Sequence, residues 1–261
     1  MMKPLFNRLY SDYAMPSRLA LHEEFVLAAL RKGYAQTSVR AYFNSLQNRG
    51  PFSGEKFIVH RHDIDTDLRT TRKLFEIEKK YNITSSFYFR LSTLDIGLMQ
   101  EIEDYGSEAS YHYEELATFA KQHKLTDPAQ VLARLPEIRE IFFENFHKIE
   151  QRCGRKLTTV ASHGDFANRR LKLNNTEILK DPQLRARCGI VCESYDRALL
   201  DHIDLYIADR PHPQYFYPSS PFVALDNKQR ICFLTHPRQW ETNWVENTKD
   251  NLFRLYEGLT W

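Results

Sequence analysis

Glycine is scarce, at 9 of 261 residues, and no internal repeat, low-complexity tract or long linker breaks the chain. Net charge is nearly absent, since 36 basic and 34 acidic residues leave only +2. That balance exerts no general pull toward nucleic acid or an anionic membrane. Long apolar runs are missing as well. Phe25 to Leu30 and Ile231 to Leu234 are among the longest, and both fall far short of a bilayer. The N-terminus has neither the apolar stretch nor the cleavage site of a secretory leader. The expectation is a cytoplasmic protein with no transmembrane segment. Cysteine is limited to Cys153, Cys188, Cys192 and Cys232. None forms a C-x-x-C pair and no zinc-knuckle spacing occurs. Free thiols are expected, with a Cys188–Cys192 disulfide as the alternative.

What the chain does have is enough length to bury a large core in one domain. Residues 16–32 predict an amphipathic helix closed by Gly33, and a short helix follows at 38–46. Strands are then expected at 56–63, 85–89, 107–112, 157–161, near 190, at 205–208 and at 231–235. Helices are expected between and after them, at 67–80, 95–104, 127–152 and 243–259. Pro136 should kink or divide the long 127–152 stretch. Such alternation implies a parallel sheet with crossover helices. The expected architecture is α/β, one domain over 1–261. It would comprise an N-terminal helical extension at 1–50 and a barrel-like unit at 56–261.

In folds of this kind the chemistry gathers at the C-terminal ends of the strands. Strand 56–63 runs straight into Asp63-Ile64-Asp65. Period two puts Arg61, Asp63 and Asp65 on one face, and His60, His62 and Ile64 on the other. Two carboxylates so placed need a cation, supplied by a metal ion or by a cluster of salt bridges. Later strands end in the same manner, at His112, at His163 and Asp165, at Asp209 and at His236. Imidazole and carboxylate together suit zinc or a related divalent ion. Such an ion polarises a carbonyl and lowers the pKa of bound water, which fits hydrolysis.

These motifs resemble those of the polysaccharide deacetylase superfamily, the metal-dependent sugar N-deacetylases of carbohydrate esterase family four. His62-Asp63-Ile64-Asp65 is similar to the first family motif, in its Asp-x-Asp form. Gly106-Ser-Glu-Ala-Ser-Tyr-His112 is similar to the second, and Phe233-Leu-Thr-His236-Pro-Arg-Gln-Trp240 to the last. The resemblance runs from Phe57 to Trp240. It implies a distorted (β/α) barrel of about seven parallel strands. It also implies removal of an acetyl or formyl group from an amino sugar, in the making of a surface polysaccharide.

By that resemblance Asp63 is the base, Asp65 and His112 are metal ligands, and His236 is the general acid. Asp209 would orient His236, Trp240 would wall the acyl pocket, and Arg61 would meet the substrate. The metal would most simply be zinc. The family places a second ligand His four residues after the first, where this chain has Leu116. His163 is the expected replacement and Glu115 the runner-up. Two other readings stay open at this point. One is a sugar-binding relative that has lost the chemistry. The other is an amidohydrolase-type metal hydrolase built on His60 and His62. The N-terminal helices either form a homodimer surface or cap the barrel.

Overall fold

The computed structural model describes residues 2–48 and 56–261. Its strands are β1 (Ala35–Thr37), β2 (Phe57–Ile64), β3 (Ser86–Phe89), β4 (Glu108–Tyr113) and β5 (Thr159–Ser162). They continue as β6 (Cys192–Glu193), β7 (Leu205–Asp209), β8 (Phe216–Tyr217) and β9 (Arg230–Thr235). All belong to one sheet in the order β6-β5-β4-β3-β2-β9-β7-β8, with β1 paired to β2. Every pairing is parallel except that of β7 with β8. The sheet curls into a half-barrel with helices between its strands and N-terminal helices before it. This is the α/β, distorted-barrel architecture read from the sequence.

Among the described residues the sheet has nine strands, where about seven parallel ones were expected. The extra strands, β1 and β8, have three and two residues, too few to show a period of two. Pro136 divides the predicted long helix outright. Pro128–Ala133 ends at Arg134, and Leu135–Cys153 begins with Pro136 in its first turn, where a missing N–H costs nothing. Two helices that the apolar pattern does not announce, Met2–Tyr13 and Glu115–Gln122, both matter for the site. Gly106 caps Ile96–Tyr105 with φ of 102°, a conformation that a side chain would strain. The four cysteines are free and buried. No helix among the described residues is long and apolar enough to cross a membrane.

Strand β2 lies at the centre, hydrogen-bonded to β1, β3 and β9, and all eight of its residues are buried. Phe57 and Val59 pack with Tyr42, Phe43, Tyr88, Ala161 and Cys232, so helix Val39–Asn48 fills one face of the curl at its base. Ile58 packs on the other face with Phe25, Leu74, Phe233 and Trp240, beneath helix Leu19–Arg31. The largest cluster lies under helix Leu135–Cys153. Ile138, Phe142, Phe146, Ile149 and Cys153 there repeat at spacings of three and four. Phe142 is fully buried between Tyr111, Tyr113 and Phe146. Phe142→Ala is expected to cost about 3–5 kcal/mol in urea denaturation. Leu259→Ala, at a site 78% exposed, should change stability by less than about 0.5 kcal/mol.

Candidate metal and acid–base site

The polar groups sit at the C-terminal ends of six neighbouring strands. In sheet order they are His163 after β5, His112 in β4, Arg90 after β3, Asp63 and Asp65 at β2, His236 after β9, and Asp209 ending β7. Parallel pairing brings all these ends to one rim.

One half of the rim forms a niche. Asp65 Oδ1 lies 3.4 Å from His112 Nε2 and 3.4 Å from His163 Nε2. The three side chains fall within the span of a single ion. Two ligands held about 2.1 Å from a tetrahedral centre stand about 3.4 Å apart, so these separations match a shared ion better than hydrogen bonds. Asp65 Oδ1 is buried and makes no hydrogen bond among the described residues, as a group kept for a cation would. The far nitrogens are oriented from behind. His112 Nδ1 bonds the Ala161 carbonyl at 3.0 Å, and His163 Nδ1 stands 3.1 Å from Glu114 Oε2. Arg90 in turn grips Glu114 with two bonds of 3.0 and 2.7 Å. Burial would push the Asp65 carboxyl up, but His163 and His112 hold it well below the usual range. Burial likewise opposes charge on His163, yet Asp65 and Glu114 raise it to about 9. The niche is thus rich enough in negative charge to hold a cation where that proton sits.

Asp63 faces the same niche, with Oδ2 3.4 Å from His112 Nε2. Its carboxylate is clamped by Arg61 through bonds of 2.8 and 2.7 Å. Burial would raise its pKa, but Arg61 and His112 lower it, so the group is an anion at neutral pH. Arg61 is expected from the sequence to touch substrate, and the structure corrects this. The side chain is fully buried, and its remaining donors bond the hydroxyls of Tyr206 and Tyr195 at 3.3 and 3.2 Å.

The other half of the rim holds a histidine–carboxylate pair. His236 Nδ1 pairs with Asp209 Oδ1 at 2.7 Å, and the His236 backbone N–H donates to Oδ2 at 2.7 Å. Burial works against a charged His236, but Asp209, Asp65 and Asp63 raise its pKa to about 9. Trp240, expected as a pocket wall, is only 1% exposed and instead donates its indole N–H to Asp209 Oδ2 at 2.9 Å. Asp65, Asp209 and His236 line a cleft of about 510 Å³.

Leu116 is buried in the core, so the position of the family's second ligand is given over to packing. Glu115 is turned away, bonded to the Tyr111 hydroxyl and to Asn145 at 3.0 Å. Arg90 and Glu114 escaped the sequence reading. Arg90 follows an apolar strand just as the other site residues do, so the same rule applied to β3 finds it.

His60 and His62 occupy the opposite face of β2, with His22 and Glu78. His60, His62 and Glu78 also lie within the span of one ion, but their setting fits a hydrogen-bond network better. His62 spends one nitrogen on Thr235 Oγ1 at 2.6 Å and the other on Glu78 Oε1 at 2.7 Å. His60 pairs with Gln36 at 2.7 Å, and burial lowers its pKa to about 3. All four side chains are fully buried.

No family model matches the chain, and no curated protein does. Among solved structures, the Streptococcus pyogenes deacetylase PplD in complex with acetate aligns at 14% identity. The alignment covers 66% of this chain and 69% of that one, with a TM-score of 0.42. The peptidoglycan deacetylase PdaC from Bacillus subtilis aligns at 14% identity over 79% of this chain and 98% of that one, with a TM-score of 0.29. Likenesses this distant carry no argument about the chain's fold or chemistry.

The two faces of β2 make a separable prediction. His62→Ala strips Glu78 of its nearest imidazole partner and should cost about 3–5 kcal/mol in urea denaturation. Metal content, measured on the folded variant, should not change.

Proposed function

We propose that the chain is a metal-dependent hydrolase that removes an N-acyl group, acetyl or formyl, from an amino sugar. The observation that carries this reading is the niche of Asp65, His112 and His163, flanked by the carboxylate Asp63 and the imidazole His236. Asp65, His112 and His163 would hold a divalent ion, and two imidazoles with a carboxylate suit zinc best. When bound, such an ion supplies Lewis-acid polarisation of the amide oxygen and acidifies water.

The chain's own residues handle the protons. Asp63 accepts a proton from the attacking water, and Arg61 keeps that carboxylate ionised and aimed. A carboxylate has about four lone-pair sites, so the Arg61 clamp leaves Asp63 free to accept. As the new C–O bond forms, the amide C–N bond breaks. His236 delivers its proton to the departing nitrogen. Asp209 sustains the charge on His236 before transfer, and Trp240 fixes Asp209. The products are a free amine and acetate or formate.

The sugar in this reading comes from the motif resemblance, and surface polysaccharide assembly is the setting that the same resemblance suggests. The cleft's size is compatible, since ligand sites run from about 300 to about 1,000 Å³.

Metal content of the purified protein is the first test. Asp65→Ala, His112→Ala and His163→Ala should each lose near-stoichiometric zinc by mass spectrometry, while His60→Ala keeps it. Metal lost only with His60→Ala would move the site to the opposite face of β2 and sink the reading.

The pH profile of kcat/KM is the second test. His236 donates only when protonated, and Asp209 raises its pKa above the usual imidazole value, so activity should fall on the alkaline side as that proton is lost. Asp209→Asn removes the largest raising influence, so the alkaline limb should move to lower pH. An alkaline limb that stays in place in this variant would exclude His236 as the acid.

A further inference from the structure

The rim of the cleft bears positive charge that the proposed reaction does not use. Nearly every carboxylate there already has its cation. Asp12 is bound by Arg238 at 2.7 Å, and Asp209 by His236 at 2.7 Å. Asp165 and Glu257 share Lys121, at 2.9 and 2.6 Å. Asp250 binds Arg238 and also the Nε of Arg254, the latter at 2.9 Å.

Three arginines that line the cleft of Asp65, Asp209 and His236 are left with donors to spare. Arg8 approaches Asp12 only at 3.4 Å, and its side chain is 53% exposed. Arg254 commits its Nε alone, and its side chain is 42% exposed. Arg210 is exposed and has no carboxylate partner among the described residues, and its guanidinium lies 5.6 Å from the Tyr217 ring centre. All three line the cleft that also holds Asp65, Asp209 and His236. Arg8 and Arg254 line the adjoining cleft beside His163 as well. Helices Met2–Tyr13 and Trp244–Thr260 carry them, braced by Asn251, which accepts from Arg8 at 2.7 Å and donates to Asp12 at 2.9 Å.

We propose that Arg8, Arg210 and Arg254 form an anion subsite, and that the amino sugar carries a phosphate held there while its N-acyl group lies in the niche. This rests on the hydrolase reading for the acyl end, but not for the anion end. A guanidinium presents a planar fork that matches a phosphate through two parallel bonds. Three such forks lining one cleft suit a group with more than one charge and three open oxygens. A neutral sugar would leave these donors unused.

The test compares N-acetylglucosamine 1-phosphate, N-acetylmuramic acid and plain N-acetylglucosamine on the zinc-loaded protein. Binding is read by calorimetry and turnover by release of acetate. The phosphorylated sugar should bind at least about tenfold tighter than the neutral one, and added salt should erode that margin. The carboxylate-bearing sugar should fall between them. Arg8→Gln with Arg254→Gln should abolish the margin through KM, leaving turnover of the neutral sugar unchanged. Arg210→Gln alone, at an exposed position without an ion pair, should narrow it and guards against a folding defect in the double variant.

Equal binding of phosphorylated and neutral sugars would overturn the subsite, as would equal losses for both in the variants. Tightest binding of the carboxylate-bearing sugar would overturn the choice of phosphate. Tight, arginine-dependent binding of the phosphorylated sugar without acetate release from any of the three would uphold the subsite and refute removal of an acetyl group.

Discussion

Strand β2 is buried on both faces from end to end, yet it carries Arg61, Asp63, His60 and His62. Charged and polar groups inside a protein must find partners there, because water no longer solvates them. The structure meets this constraint twice, once on each side of the strand. On one face Arg61 clamps Asp63, and Tyr195 and Tyr206 take up the remaining donors. On the other, His62 is held between Thr235 and Glu78. The two solutions differ in what they leave over. On the Glu78 side the open groups are imidazole nitrogens, His60 Nδ1 and both of His22. The Asp63 side ends in Asp65, whose buried oxygen has no hydrogen-bond partner and faces two imidazoles.

The order of strands then sorts the chemistry. β4 and β5 bring His112 and His163 to one side of β2, while β9 and β7 bring His236 and Asp209 to the other. The imidazoles that would hold a cation and the pair that would give a proton therefore flank the strand that carries Asp63 and Asp65. Each imidazole also has a carboxylate or carbonyl behind it, so its orientation is set before any ligand arrives. The helices at the two ends of the chain add the rim. Met2–Tyr13 and Trp244–Thr260 meet through Asp12, Asn247, Asn251 and Arg238, and their arginines overhang the cleft.

Much of this was legible in advance because it rests on short-range rules. Period two along 57–65 separates Arg61, Asp63 and Asp65 from His60 and His62 whatever the tertiary fold. Apolar runs followed by Asp or His mark the rim, since parallel strands end together. Three features were not legible. Arg61 and Trp240 bear groups that suit a ligand equally well, and only their burial turns them toward Asp63 and Asp209. Glu114 and Glu115 are adjacent, and nothing local says which one faces His163. The start of helix Glu115–Gln122 decides it, sending Glu115 to Tyr111 and Asn145.

The sequence by itself determined the longer elements, the parallel alternation and which residue types crowd the strand ends, because these follow from periodicity and chain connectivity. Only the tertiary structure decided which of them meet. The 3.4 Å separations of Asp65, His112 and His163 join three strands far apart in the chain. At the rim, Arg8 and Arg254 come from opposite termini and Arg210 from the segment after β7. Such contacts depend on sheet order and helix docking, which are settled by burial summed over the whole core, and no local pattern records that sum.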